Sequence, residues 1–240
     1  IPKYLLAMDT HCMPGSYHTE WSEGDLANGA LYDRGAFLYA PSGGPRGDGA
    51  GRASLALYRR DHPQANPARI LDLGCATGGP LLPYAEAFPQ AELHGVDVGA
   101  PLLRFGHLRF EKAGIPIHFR QADAAATGYP DDHFDLIVSS FFFHETPLKP
   151  TQKVLRECLR LLAPGGLMVH MELPSEASVG PFENFFWNWD TAYNAEPYYA
   201  AYRAQDPVPL CTEAGFPAEA SFAHAIPDWS TFGEERFARY

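Results

Sequence analysis

A short glycine-containing loop flanked by acidic residues is the clearest chemical feature of this 240-residue chain. Residues 74–78 (GCATG) follow an apolar run, and Asp72 lies near the end of that run. Asp97 lies 19 residues after Gly78. Glycine lets a ligand lie against the backbone, and a carboxylate at the distance of Asp97 suits ribose hydroxyls. A carboxylate beside the loop repels a pyrophosphate and attracts an amine or a sulfonium, so a ligand of the loop would more readily be cationic; an ordinary β-to-α turn stays open as the alternative.

Two further reactive side chains, His144 and Glu145, follow a second apolar run, residues 134–140. The carboxyl end of a strand would place them near a ligand of the first loop. Histidine suits proton transfer because its pKa lies near neutrality. A structural reading stays open, in which His144 packs or caps the loop and Glu145 starts the next helix or accepts backbone N–H groups. We treat both as candidate catalytic residues.

Aromatic residues are concentrated between about residues 176 and 206. Five of them recur at helical spacing, which predicts a helix face buried in the core: Phe182, Phe185, Phe186, Trp189 and Tyr193. Trp187, on the other face, and the tyrosines of this region, Tyr193 among them, are candidates for an acceptor pocket. An aromatic cover would exclude water and could stabilise a cationic group.

The first 67 residues hold several chemically capable side chains without sustained periodicity. His11, Cys12 and His18 match no standard ligand spacing, so we expect no metal site. We expect this segment to fold over the cleft, with Tyr17 and His18 facing the acceptor or a cofactor.

These residues must be positioned by strands that alternate with helices. Apolar runs predict five strands, at residues 69–73, 91–97, 115–120, 134–140 and 167–173. Helices are predicted at about 25–39, 53–62, 80–88, 100–113 and 151–162, and a glycine- and proline-rich loop at 41–51. The alternation indicates an α/β fold, a doubly wound parallel sheet with helices on both faces.

In order and spacing, several segments resemble the class I S-adenosylmethionine-dependent methyltransferases. They are residues 70–78 (ILDLGCATG), 93–98 (LHGVDV), 121–124 (QADA), and 132–138 (DHFDLIV) with 162–166 (LAPGG). One departure is Ala76, where the family usually has glycine; its methyl group is tolerable if the φ angle is negative.

The resemblance implies a Rossmann-like fold and S-adenosyl-L-methionine as the cofactor. It implies that the backbone of the first loop contacts the methionine moiety, that Asp97 holds the ribose and that Asp123 holds the adenine amine. The full set of cofactor-binding candidates is Asp72, Gly74, Cys75, Ala76, Gly78, Asp97, Val98, Asp123, Ala124 and Ser139.

The resemblance also implies how the chain is divided. Residues 1–67 would form a helical and looped segment covering the cleft, and residues 68–240 the cofactor-binding domain. The sheet of this family adds antiparallel strands after the fifth, which we expect at residues 218–226 and, as a beginning only, at 237–240.

The sequence favours a small-molecule acceptor. Members that methylate amines of nucleic acid bases often carry an Asn/Asp-Pro-Pro-aromatic motif after the fourth strand, where residues 139–145 read SSFFFHE. We expect methyl transfer by in-line displacement, with Phe141 lining the acceptor site. Two alternatives stay open: a nicotinamide-dependent oxidoreductase on a Rossmann sheet, and a non-catalytic cofactor-binding or scaffold protein.

Composition limits the partners and the compartment. Lys and Arg number 18 against 29 Asp and Glu, and a net charge of −11 repels nucleic acids. No apolar run approaches the ~18 residues of a membrane span, so we expect no membrane partner. Four scattered cysteines and the lack of a leader predict the cytoplasm. We expect that the protein can form a homodimer, and that a chain opening with Ile1 is part of a longer protein.

Overall fold

A parallel sheet of five strands forms the centre of the computed structural model, which describes residues 1–39 and 46–226. The order across the sheet is β3-β2-β1-β4-β5. The strands are β1 (Arg69–Leu73), β2 (Glu92–Asp97), β3 (His118–Gln121), β4 (Phe134–Ser140) and β5 (Leu162–Met171). In the central register, Leu71 is paired with His94 of β2 and with Ile137 of β4. A strand in this position is covered on both faces, which explains why β1 and β4 are almost continuously apolar.

The described residues also form eight α-helices. They are α1 (Ala27–Tyr39), α2 (Gly49–Asp61), α3 (Leu82–Ala87), α4 (Ala100–Ala113), α5 (Leu148–Leu161), α6 (Pro181–Tyr193), α7 (Tyr199–Arg203) and α8 (Pro207–Ala214). Local sequence sets several ends: α4 has Pro101 in its first turn and stops at Gly114, whose φ of 69° lies in the left-handed region.

The core has two layers, one on each face of the sheet. Because side chains alternate along a strand, Ile70 and Leu136 point to one layer while Leu71 and Ile137 point to the other. The first layer is closed by α2, α3 and α4, and the second by α5 and α8. The predicted doubly wound α/β sheet with helices on both faces is therefore confirmed.

The predicted antiparallel strand at residues 218–226 is wrong. Ala218–Ala220 form a 3-10 turn, residues 221–226 join no strand, and every strand pair of the five-stranded sheet is parallel. Phe222 is 63% exposed, so this segment lacks the apolar contact with the core that would hold it against the sheet. The strand expected to begin at 237–240 lies outside the described residues, as does part of the predicted loop at 41–51.

The prediction that the aromatic stripe of α6 is buried is also wrong. The five stripe residues are all exposed: Phe182 76%, Phe185 67%, Phe186 49%, Trp189 50% and Tyr193 71%. The helix packs against α7 rather than on the sheet, so no core layer faces its stripe. Trp187 lies half-buried instead, with its ring 6.3 Å from that of Tyr199.

None of the helices in the described part of the chain is long and apolar enough to cross a membrane.

Candidate active site

A cleft opens at the carboxyl ends of β1, β2 and β4. The loops that follow these strands form its floor, and the N-terminal segment forms its opposite wall. Ligands of open parallel sheets bind at this edge, where neighbouring crossovers diverge. The fold thus brings the predicted glycine loop and the predicted acidic strand ends to one place.

The loop after β1 turns sharply through left-handed backbone positions. Gly74 and Gly78 have φ angles of 66° and 75°, and the N–H groups of Gly74 and Cys75 both donate to the carbonyl of Val96. A Cβ at Gly74 would lie 2.3 Å from the ring of Phe142, so only glycine fits there. The condition under which the methyl group of Ala76 would be tolerable, a negative φ, is not met, since its φ is 46°. This alanine holds a conformation that costs about 1–2 kcal/mol for a residue with a Cβ.

Asp97 joins the β1 loop to the β2 loop. Its Oδ2 accepts from the N–H of Ala76 at 2.9 Å, and its Oδ1 accepts from the N–H of Gly99 at 2.7 Å. Burial raises the pKa of Asp97, and these backbone bonds partly offset that rise. The carboxylate lines the cleft, where its oxygens are placed to accept from a ligand.

Asp72 lies deeper, in β1 itself. It is 1% exposed, and its Oδ2 has no hydrogen-bond partner. Burial, with a contribution from the charge of Asp97, raises the pKa of Asp72 well above its usual range. A buried polar atom without a partner is rare in native proteins and is often completed by a ligand.

The far end of the cleft holds the residues predicted to meet adenine. Val98, Asp123 and Ala124 all line it. The side-chain amide of Gln121 donates to the carbonyl of Val98 at 2.9 Å, and Asp123 Oδ1 accepts from the N–H of Ala125 at 2.8 Å. The first bond holds the ends of β2 and β3 beside each other, and the second orders the loop after β3.

The N-terminal wall contributes aromatic side chains that the sequence reasoning missed. Tyr4 and Tyr32 line the cleft beside Tyr17, and the rings of Tyr17 and Tyr32 meet edge to face at 5.6 Å. The hydroxyl of Tyr198 donates to the carbonyl of Tyr4 and ties this wall to the region after α6. The sequence signal that could have pointed to Tyr4 and Tyr32 was the occurrence of aromatic residues in a segment without periodicity.

Of the two candidate catalytic residues, Glu145 faces the cleft. Its Oε1 accepts from the hydroxyl of Tyr17 at 2.9 Å and lies 2.7 Å from Nε2 of His11. His144 is 5% exposed and lies behind the cleft wall, with Nδ1 at 2.8 Å from Oε2 of Glu172. The other oxygen of Glu172 accepts from the N–H of Phe143, so this carboxylate holds the loop after β4.

The charge state of His144 follows from its neighbours. Burial alone lowers the pKa of His144, but the carboxylate of Glu172, with smaller contributions from Glu145 and Glu196, raises it to about 9. The imidazole is therefore protonated at neutral pH. A protonated ring orients and neutralises its carboxylate partner and does not accept a proton.

Several other predicted residues lie away from the cleft lining. Ser139 is buried with its Oγ 2.5 Å from Nδ1 of His170, and Ser140 lines the cleft in its place. Phe141 does line the cleft, at a φ of 57°. The predicted residues outside the lining, besides Asp72, Ser139 and His144, are Cys75, Gly78, His18, Trp187 and Tyr193.

Known proteins share this architecture. Residues 70–166 match a family model described as a methyltransferase domain. A demethylmenaquinone methyltransferase of Thermus thermophilus is 39% identical over 108 residues, which are 45% of this chain and 48% of that protein. The ajmaline N-methyltransferase of Rauvolfia serpentina is 30% identical over 131 residues, or 51% of this chain and 44% of its own length. The chain thus spans about half the length of the curated relatives it matches.

Among solved structures, the phosphoethanolamine N-methyltransferase 2 of Haemonchus contortus in complex with S-adenosyl-L-methionine superposes with a TM-score of 0.59. It is 22% identical, and the match covers 77% of this chain and 41% of that one, so it supports the fold. Residues 70–166, which build most of the sheet, are thus similar to a methyltransferase domain.

Proposed function

We propose that this protein transfers a methyl group from S-adenosyl-L-methionine to a small-molecule acceptor by in-line displacement. The observation that carries the proposal is the carboxylate of Asp72, buried beneath the glycine loop with an unpartnered oxygen. A cationic group in the adjoining cleft would supply the missing partner. A nicotinamide cofactor would instead bring a pyrophosphate to these carboxylates, which disfavours the oxidoreductase alternative.

The residues that would hold the cofactor follow from the cleft. Asp97 offers two oxygens to the ribose, Asp123 offers one to the adenine amine, and Val98 offers an apolar contact. Gly74 and Ala76 would bring backbone against the methionine moiety, and Asp72 would lie on the cationic side. When bound, the cofactor supplies an electrophilic methyl group on a sulfonium.

The acceptor would lie between the β4 loop and the N-terminal wall. Residues 1–39 act as the cover in this proposal, with Tyr17 and Phe141 excluding water and aligning the acceptor. Glu145 is the carboxylate that meets the acceptor and takes its proton where one is lost. His144 is a positioning residue that holds the loop through Glu172.

The acceptor is proposed to be small because the cover narrows the cleft and the net charge of −11 repels polyanions. We further propose a cytoplasmic location, which the four free cysteines favour, and a homodimer, which the exposed aromatic face of α6 favours.

Calorimetry with S-adenosylhomocysteine tests cofactor binding. Asp97→Asn removes charge-assisted hydrogen bonds of roughly 1.5–3 kcal/mol each, so affinity should fall at least tenfold. Glu219→Gln, an exposed acid outside the cleft, is the control and should bind normally. Unchanged affinity in Asp97→Asn, or binding of NADH in place of S-adenosylhomocysteine, would overturn the assignment.

Incubation of a cell extract with methyl-labelled cofactor tests the activity. A labelled small molecule is expected; cofactor binding without any labelled product would favour the non-catalytic alternative. With the acceptor known, Glu145→Gln should lower kcat by roughly 10²–10⁴-fold while S-adenosylhomocysteine affinity stays unchanged. A normal kcat in this variant would remove Glu145 from the catalytic machinery.

A further inference from the structure

Three side chains from distant parts of the chain converge behind Tyr17. His11 belongs to the N-terminal wall, Glu145 follows β4, and Glu196 lies between α6 and α7. Nε2 of His11 lies 2.7 Å from Oε1 of Glu145 and 3.0 Å from Oε1 of Glu196. One imidazole nitrogen and one oxygen from each carboxylate all lie within 4.8 Å of one another.

An ion pair alone accounts poorly for this cluster. Nε2 of His11 carries at most one proton, and two carboxylate oxygens lie within hydrogen-bond distance of it. Glu196 is 3% exposed, and its Oε2 has no hydrogen-bond partner. Apart from the hydroxyl of Tyr17 on Glu145 and the amide of Asn194 on Glu196, the two carboxylates share this one donor, and the buried Oε2 of Glu196 is left without a partner that a cation would supply.

The donor set matches the preferences of borderline divalent metals. Imidazole nitrogen and carboxylate oxygen together are usual ligands of Zn²⁺ and Mn²⁺, whereas Mg²⁺ and Ca²⁺ favour oxygen alone. Two carboxylates also neutralise a divalent charge. Metal-bound histidines commonly present their other nitrogen to a polar group, and Nδ1 of His11 lies 2.8 Å from the side-chain amide of Asn194. That amide can turn so that its oxygen accepts from Nδ1–H.

We propose that His11, Glu145 and Glu196 bind one divalent transition-metal ion, Zn²⁺ or Mn²⁺, which fastens the N-terminal wall to the cleft. This metal site is additional to the proposed methyl transfer, and it replaces the expectation from the sequence that the protein has no metal site. Spacing along the sequence could not indicate it, because His11 and Glu145 lie 134 residues apart. Through Glu145, which also accepts from Tyr17, the ion would hold the aromatic cover against the β4 loop.

Calorimetric titration of chelator-treated protein with ZnCl₂ or MnCl₂ tests the site without cofactor or acceptor. We expect one ion per chain, a rise in Tm on addition of the ion, and much weaker binding of MgCl₂. Glu196→Gln keeps the size of the side chain and should weaken binding at least tenfold, as should His11→Ala. His107→Ala and Glu176→Gln, both exposed and outside the cluster, are matched controls and should bind as the unaltered protein does.

Two results would overturn the proposal. One is the lack of any binding or Tm shift with millimolar ZnCl₂ and MnCl₂. The other is full affinity in both Glu196→Gln and His11→Ala, since the ion would then bind elsewhere. Circular dichroism and S-adenosylhomocysteine binding of each variant show whether it is folded. Because these readouts need no metal, failure of the metal site is distinguishable from failure of the proposed methyl transfer.

Discussion

At Ala76 the loop after β1 places an alanine where the family usually has glycine. Its φ of 46° lies in the left-handed region, and the residue is 9% exposed in the cleft floor. Ala76→Gly should remove the steric cost and stabilise the protein by about 1 kcal/mol, after allowance for the freer unfolded chain. Urea unfolding measures the change. Ala201→Gly, in the exposed part of α7, is the control and should destabilise the protein by about 0.5–1 kcal/mol. Loss of stability in both variants would contradict the inference that the backbone of Ala76 is strained.

Replacement of the buried Asp72 should affect stability and ligand binding in opposite directions. Folding raises the pKa of Asp72. The stability that its protonated side chain contributes is therefore fully present below the pKa of the unfolded chain, and it is lost as pH rises through the pKa of the folded protein. Each unit of that rise is about 1.4 kcal/mol. Asp72→Asn should therefore raise the Tm at neutral pH and weaken S-adenosylhomocysteine binding at least tenfold. A lower Tm with normal binding would show that Asp72 serves the fold alone.

At the scale of elements, the exposed aromatic face of α6 should contribute much less to stability than the buried core does. Phe182 is 76% exposed whereas Phe134 of β4 is fully buried. At protein concentrations low enough to keep the chain monomeric, Phe182→Ala should change the free energy of unfolding by less than about 0.5 kcal/mol, and Phe134→Ala should lower it by about 3–5 kcal/mol. Urea unfolding of both variants measures the contrast. A cost above about 2 kcal/mol for Phe182→Ala would mean that this face is covered by a second copy in solution.

The contrast between α6 and the core also explains which elements could be predicted from the sequence. The β1, α4, β2 and β4 segments were found because their apolar periodicity and their loop residues are local signals. The stripe of α6 has the same helical period, yet it faces outward, since periodicity reports a common face and not what that face contacts. The antiparallel strand at residues 218–226 failed for a related reason: an apolar run joins a sheet only where the core offers it contact.

The residues of the candidate site also fall into those that the sequence could predict and those that it could not. Asp97, Asp123 and the glycine loop were predicted because each follows its own strand. Glu172 and Glu196 were missed because nothing near them in the sequence marks them; only the folded chain brings them to His144 and His11.

At the scale of the whole molecule, buried histidines predict loss of stability in acid. Burial lowers the pKa of His170 to about 3; its Nε2 is shut off from solvent and has no partner. Burial also lowers the pKa of His94 to about 4. A histidine with a depressed folded pKa contributes stability above the unfolded pKa of about 6.5, and this is lost as pH falls toward the folded value. The unfolding free energy should drop by about 1.4 kcal/mol per pH unit for each such group.

His170→Gln isolates one of these contributions, because the amide can still bond the hydroxyl of Ser139 but does not titrate. Urea unfolding between pH 7.5 and 4.5 should show that the variant loses about 2–3 kcal/mol less than the unaltered protein over this range. His107→Gln, an exposed histidine, should keep the full acid slope. Equal slopes in all three proteins would mean that His170 takes up its proton as readily in the folded protein as in the unfolded chain, so that its burial contributes nothing to the loss of stability in acid.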